Sequence, residues 1–466
     1  AEGLTGHIEE FWPDLGVKSG WLGGDGESWE RGPYYLDGLI PLTHLLDDAA
    51  LIGRAAKWIE WTLNSGQPSG QFGTRNKDWW PRMVMLKALG MHYEATGDRR
   101  VIERMSAYAR YQERTLRWRR LESWAHARGA ENALMAQWLY NLTGDATALR
   151  LAGALLEQTM DWSLWQGRYA VGDALIHREI DMPTHVVNNA MGVKMPAVAW
   201  VQSGSPQMRR AVRRGIENLM AHHGQPNGLF SGDEHLNGTS PTSGTELCAV
   251  AEYMFSLEEC LRILGDAFFG DALEAAAYNA WPATFTSDMW AHQYDQQVNQ
   301  VLCTVARRDW YSNGNQANLY GLEPNFGCCT ANMHQGWPKL VKSLFMSLPG
   351  GGLAAVALGP CRAEAVVAGG VRAVVVEETD YPFDGAVSFR FELSAPARFP
   401  LLVRVPAWAC GATVAVAREE AAPVAAGAFH RIERLWRDGD EVRLDLPMPV
   451  RAAAGHEGLL SVHRGP

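Results

Sequence analysis

This chain of 466 residues is poor in cysteine, has no long apolar run and carries no basic block. Seven Cys are too few for a disulfide scaffold in a chain of this length, and their number is odd. No run of 18 apolar residues occurs, which excludes a transmembrane helix of ordinary length. The start of the chain has no secretory signal pattern, and its first residue is Ala1 rather than Met, as after trimming. Lys and Arg number 42 against 52 Asp and Glu, for a net charge of -10. That balance excludes the cationic footprint of a nucleic-acid binder and favours solubility. Thiolate chemistry favours a reducing compartment, so a cytoplasmic location is expected, with no membrane partner.

Apolar residues make up 47% and charged residues 20%, the balance of an ordinary globular protein with a large core. Tryptophan is the outlier, with 19 copies. Trp21, Trp29, Trp79, Trp80 and Trp290 stand in polar or Gly-rich contexts, where an indole either anchors a loop or stacks on a flat apolar face such as that of a sugar.

The first three quarters of the chain carry apolar residues at helical spacing, over 83–93, 101–116, 131–142, 148–160, 207–220, 246–264 and 272–281. Between them recurs a Gly-Asp pair, at Gly97-Asp98, Gly144-Asp145 and Gly265-Asp266. Gly closes one helix in the left-handed conformation and Asp caps the next. Repeated helix hairpins of this kind predict an α/α toroid with a funnel lined by loops. Beyond Pro349-Gly350-Gly351-Gly352 the texture changes to short β-branched runs at 363–368, 371–377, 386–393, 401–405, 413–417 and 441–446, which predict an antiparallel β-sandwich. The expected organisation is a catalytic (α/α)6 barrel over 1–348 and a sandwich over 349–466. The last strand-like run, 459–463, stands at the end of the chain, as in a sandwich cut short. A sheet cut there exposes an edge that a second copy or further chain would cover, so a homodimer is one expected assembly.

Two short segments narrow the chemistry furthest. Glu246-Leu247-Cys248 and the adjacent pair Cys328-Cys329, within Asn325-Phe326-Gly327-Cys328-Cys329-Thr330-Ala331-Asn332, offer one carboxylate and three thiolates. That is a complete tetrahedral set for Zn2+, and the same thiolates are nucleophiles. A helix start would orient Glu246 and Cys248 and lower the thiol pKa. For Cys328 and Cys329 to bind one ion, a sharply bent loop is expected, with Gly327 at the bend. The competing reading is four unrelated buried residues, since free Cys is a common core residue. Cys260, Cys303, Cys361 and Cys410 lack comparable partners and read as plain thiols.

These segments resemble the bacterial β-L-arabinofuranosidases of glycoside hydrolase family 127. The resemblance is carried by Thr245-Glu246-Leu247-Cys248, by Gly327 to Asn332 and by Ser231-Gly232-Asp233-Glu234-His235-Leu236. The stretches Trp29 to Gly38 and Asp78-Trp79-Trp80-Pro81 match a branch of the same family. The resemblance implies an (α/α)6 barrel followed by β-sandwich modules, and a retaining mechanism. It implies a zinc ion held by Glu246, Cys248, Cys328 and Cys329, with Cys328 as nucleophile and Glu234 as acid/base. Two departures concern the sugar. The stretch between Glu234 and Glu246 is short, and Glu131 stands where family members carry a His-rich helix motif.

The sugar pocket is expected to draw on Asp78, Trp79, Trp80, Tyr34, Asp37, Glu131, His185, His235 and His292, with His126 and Tyr294 as further candidates. The expected substrate is a plant-derived oligosaccharide or glycoside ending in a furanose or deoxy-sugar, cleaved in exo fashion. Two other readings stay open. One is a two-carboxylate hydrolase with purely structural zinc. The other is a carbohydrate-binding protein without turnover.

Overall fold

The computed structural model describes residues 2–169, 182–308, 310, 314–322 and 327–466. The chain divides into two compact units. The first comprises Ala1–Gln225, Leu229–Ser256 and Trp281–Lys339, and the second comprises Pro226–Gly228, Leu257–Ala280 and Leu340–Pro466. No helix among the described residues is long and apolar enough to cross a membrane.

The first unit is helical. Its long members include Arg31–Leu46, Ala49–Asn64, Trp80–Thr96, Arg99–Thr115, Ser123–Thr143, Ala146–Gln158 and Pro206–His223. The Gly-Asp punctuation works as the sequence predicts. Gly97 (φ 70°), Gly144 (φ 67°) and Gly265 (φ 63°) are left-handed. Asp98, Asp145 and Asp266 then accept the N–H of Arg100, Thr147 and Phe268 at the start of the next helix. Each cap supplies about 1 kcal/mol of helix stability. Helices Arg31–Leu46 and Trp80–Thr96 have little amphipathic pattern because nearly every side chain in their first three turns is buried. Such all-round burial is what makes a helix hard to read from periodicity. Much of the tryptophan is core: Trp21, Trp58, Trp80, Trp162, Trp281 and Trp436 are fully buried.

The second unit holds two larger sheets, besides the two-stranded pair of Arg451–Ala454 with Leu460–His463. One runs in the order Ala422–Pro423, Thr413–Val416, Glu441–Asp445, Ala386–Leu393, Val371–Thr379, Cys361–Val367. The other runs Ala428–Trp436, Ala397–Val405, Gly352–Ala355, Phe345–Leu348. All pairings in these two sheets are antiparallel except Gly352–Ala355 against Ala397–Val405, which is parallel. Alternating side chains of both sheets, among them Val375, Phe389, Phe391, Phe399, Val403 and Leu444, share one core. Trp436 stacks on Phe391 at 4.4 Å and donates its indole N–H to Phe399 O at 2.9 Å, which satisfies its polar edge.

Charge is buried in this unit too. Arg404 pairs with Asp271 and Glu274, and the Tyr381 hydroxyl donates to Glu274. Nearby, Glu377 is 2% exposed and accepts the Gly359 N–H at 3.0 Å. Burial outweighs that bond and pushes the Glu377 carboxyl from 4.5 up to about 8. A raised folded-state value means the folded protein holds the proton more tightly than the unfolded chain. The stabilisation is complete below pH 4.5 and is lost as pH rises through 8. Glu377→Gln keeps the acceptor for Gly359 and removes the titration. Its urea-denaturation midpoint should therefore gain on wild type progressively across that window, with the gap level above it.

Candidate functional site

A two-residue antiparallel ladder sets the site's geometry. Thr245–Glu246 pairs with Asp295–Gln296, with Glu246 opposite Asp295, and the Leu247 N–H donates to Tyr294 O at 2.9 Å. Helix Leu247–Leu264 starts at once, so Glu246 lies at the ladder's end and Cys248 in the helix's first turn. Cys328 and Cys329 lie in the first turn of helix Gly327–Asn332 rather than on the bent loop expected from their adjacency. A helix start serves because its first turn leaves side chains and N–H groups unencumbered. Gly327 is required there for close packing, since a Cβ would sit 2.6 Å from the Trp12 ring and 2.7 Å from Arg31 Nε. Asn325 and Phe326, which open the motif, lie outside the described residues.

One ligand atom from each of Glu246, Cys248, Cys328 and Cys329 lies within 4.8 Å of all the others. Cys329 Sγ is 3.7 Å from Glu246 Oε1, while Glu246 Oε2 is buried without a hydrogen-bond partner. Three sulfurs and a carboxylate with an orphaned oxygen fit a tetrahedral metal ion. The four groups differ in exposure and in proton affinity. Cys248, Cys329 and Glu246 are buried, and burial pushes all three pKa values well up. Cys328 is half-buried, and hydrogen bonds from Cys248, Cys329 and Tyr294 hold its thiol well below the ordinary value. Cys328 is thus the thiol of the three whose value is held down and the one that is not fully covered.

Glu234 faces this cluster. The Tyr294 hydroxyl donates to Glu234 Oε1 at 2.5 Å, and Tyr294 is among the neighbours that hold the Cys328 thiol down. His185 Nδ1 accepts the Asn188 backbone N–H at 3.3 Å, which leaves the ring proton on Nε2, 3.0 Å from Glu234 Oε2. His185, Glu234 and Glu246 each place a ligand atom within 4.8 Å of the other two. The Glu234 backbone has φ 121°, an unusual value for a residue with a side chain. Bonds on both sides hold it there, from Val186 N to Glu234 O at 2.7 Å and from Leu236 N to Thr184 O at 2.9 Å. Asp233, its neighbour, is fully buried, whereas the Glu234 side chain is 26% exposed.

The other sequence candidates take several places. His235 is buried, with Nδ1 2.7 Å from Thr184 Oγ1 and its ring edge-on to His185. His292 is fully buried, with Nε2 3.0 Å from Thr330 Oγ1 on the Cys328 helix, so it braces that helix. Asp78 accepts the Trp29 indole N–H at 2.8 Å and the Trp80 backbone N–H at 3.1 Å. Trp79 donates its indole N–H to Arg119 O at 3.2 Å and lies under that residue's guanidinium. Tyr34 packs edge-on against Trp80. His126 is half-buried, and its carbonyl accepts the Met160 N–H.

Asp37 and Glu131 lie in a buried ion network. Asp37 Oδ2 is 3.0 Å from Lys87 Nζ and 2.7 Å from Lys339 Nζ. Glu131 pairs with Lys87 at 3.3 Å and with Lys194. The three ammoniums lie over one ring, Phe255, at 4.6, 5.1 and 4.0 Å for Lys87, Lys194 and Lys339. Burial alone would lower Lys87, but Asp37, Glu131 and Glu252 outweigh it and hold the ammonium above its usual value. At Lys339 burial wins and the value falls.

Sequence reasoning passed over Glu30, Arg128 and these lysines. Glu30 accepts the Trp80 indole N–H at 2.5 Å and lies 3.6 Å from Arg128. Burial raises its carboxyl to about 8 despite Arg128. Arg128 is held between Trp80 and Trp124, 4.5 Å from each ring, and bonds Asn188 Oδ1 at 2.7 Å. The signal was available. A single Lys amid Met83-Val84-Met85-Leu86-Lys87-Ala88-Leu89, or between Val193 and Met195, is a charge on an apolar run that demands a buried partner. Lys194→Met leaves Glu131 short of a cation and should cost about 3–5 kcal/mol in denaturant unfolding. Adding Glu131→Gln to Lys194→Met should recover part of that loss.

The comparisons agree with this picture. The family model described as the β-L-arabinofuranosidase GH127 catalytic domain matches residues 43–342, and the GH127 middle-domain model matches 358–448. A GH127 β-L-arabinofuranosidase from Geobacillus stearothermophilus T6 superposes with TM-score 0.71 at 20% identity, covering 96% of this chain and 78% of its own. The GH127 β-arabinofuranosidase BT3674 superposes at 0.69 and 17% identity, over 94% and 75%. A structure named as a glycoside hydrolase reaches 0.76 at 16% identity, over 93% and 76%. No curated protein sequence matches. The helical unit with its Cys–Glu cluster and the β-sheet unit therefore form a glycoside hydrolase, and the chain belongs to the GH127 β-L-arabinofuranosidase family.

Proposed function

We propose that this glycoside hydrolase releases terminal β-L-arabinofuranosyl units, or a closely similar sugar, from plant-derived oligosaccharides with retention of configuration. Cys328 is the nucleophile and Glu234 the acid/base. The observation that supports the reading is that Glu246 oxygens lie within 4.8 Å both of Cys328 Sγ and of a Glu234 oxygen, so the thiol and the carboxyl share one site. Retaining glycosidases place their two groups about 5–5.5 Å apart, whereas inverting ones need about 6.5–9.5 Å to admit a water.

Glu246, Cys248, Cys328 and Cys329 would hold a zinc ion. Tetrahedral zinc–sulfur bonds of about 2.3 Å set ligand atoms about 3.8 Å apart, and the 3.7 Å between Cys329 Sγ and Glu246 Oε1 supports that fit. Bound zinc would keep Cys328 anionic at neutral pH and make its sulfur a better leaving group.

Protonated Glu234 gives its proton to the glycosidic oxygen as Cys328 Sγ bonds the anomeric carbon, and the C–O pair leaves with the aglycone. A water then attacks the same carbon and Glu234 takes its proton. The C–S pair returns to Cys328, which restores the thiolate. His185 and Tyr294 orient the Glu234 carboxyl throughout.

Elemental analysis should find about one zinc per chain. Cys328→Ser should lose p-nitrophenol release from the aryl β-L-arabinofuranoside; a metal-loaded Cys328→Ser that keeps turning over would remove the thiolate from the reaction. Glu234→Gln should lose about 10²–10⁴ in rate on alkyl glycosides and much less on activated aryl ones. Equal loss on both would argue against the acid role.

A further inference from the structure

Cys248 and Cys328 lie on different helices, separated in sequence by 80 residues, yet their sulfurs must stay within a few tenths of an ångström of one arrangement. One turn further along each helix, a second contact repeats the first. Glu252 stands four residues after Cys248, and Asn332 stands four residues after Cys328. Residues four apart share one helix face. Asn332 Nδ2 donates to Glu252 Oε1 at 3.2 Å, and Gln335 Nε2 donates to the same oxygen at 3.0 Å. Gln335 also donates to Asn332 Oδ1, so the three side chains close on one another. Lys339 Nζ then bonds Gln335 Oε1 at 2.6 Å and Asp37 Oδ2 at 2.7 Å, which anchors the group to helix Arg31–Leu46. Glu252, Asn332 and Gln335 are all fully buried.

We infer that Glu252 is a positioning residue, whose carboxylate clasps Asn332 and Gln335 and thereby sets the separation of the Cys248 and Cys328 thiols one turn away. The inference rests on reading the Cys–Glu cluster as a metal centre, but the clasp acts on the empty thiols as well. Water cannot replace it, because the site is buried and two amide donors would lose their acceptor together. Partners one step behind a metal's ligands typically change its affinity 10–100-fold when removed.

The test uses the full chain with Glu252→Leu, which removes the acceptor, and Glu252→Gln, which keeps an Oε1 in place. Zinc release is followed with a chromogenic chelator. Separately, the metal-free proteins are treated with diamide, and disulfides joining Cys248 to the Cys328-Cys329 pair are timed by peptide mapping. The expectation is that Glu252→Leu releases zinc about 10–100 times faster than wild type and crosslinks at least severalfold more slowly, while Glu252→Gln stays near wild type in both. Should Glu252→Leu fail to fold by circular dichroism, Asn332→Ala trims one arm of the clasp and must shift both readouts in the same direction. Crosslinking and zinc release unchanged in a folded Glu252→Leu or Asn332→Ala would overturn the clasp. Glu252→Gln failing as badly as Glu252→Leu would also overturn it, because charge rather than the hydrogen bonds would then matter. If wild type takes up no zinc, the metal reading fails, and the crosslinking rates alone still decide the clasp.

Discussion

The rest of the helical unit is arranged around a concentration of acidic groups that is largely kept out of water. Glu246, Glu234, Glu30 and three cysteines converge near one place. Left uncompensated, such groups would repel one another and take up protons. Hydrogen bonds with Tyr294 and His185 satisfy the Glu234 oxygens, and Arg128, gripped between two indoles, stands beside Glu30. The unpaired oxygen of Glu246 leaves room for a cation to do the rest.

A second layer of charge lies beneath, where Asp37, Glu131 and Glu252 meet Lys87, Lys194 and Lys339 around Phe255. Buried pairs of this kind contribute little net stability compared with well-packed apolar residues, and breaking one is costly. Their value here is directional. Each ammonium has few arrangements open to it, so helices Arg31–Leu46, Trp80–Thr96 and Ser123–Thr143 are tied to one another.

Much of this was legible in the sequence where a residue's role is local. The Gly-Asp hairpins act within a few residues, and their caps form as their spacing predicts. Strand runs such as Ala386–Leu393 stood out because their alternation is also local. Glu246, Cys248, Cys328 and Cys329 stood out because adjacent or near-adjacent ligands are rare by chance. The helices Arg31–Leu46 and Ala49–Asn64 did not, the first because burial on every side erases its period. The strand Ala428–Trp436, rich in Arg and His, hides its pairing with Ala397–Val405 in an exposed polar face. Glu30, Arg128 and Glu252 stayed hidden because their meaning lies in partners 50 to 100 residues away in sequence.

The backbone of Glu234 has a consequence of its own. At φ 121° a side chain pays a conformational cost that glycine would not. On the proposed reading of Glu234 as acid/base, the position is one where the residue best for stability and the residue best for reactivity differ. Selection for a sturdier protein would drift toward glycine there and erase the carboxyl group. Any consensus-based or stability-guided redesign of this chain would meet the same conflict at this single residue, and a gain in melting temperature obtained there would be a warning rather than a success.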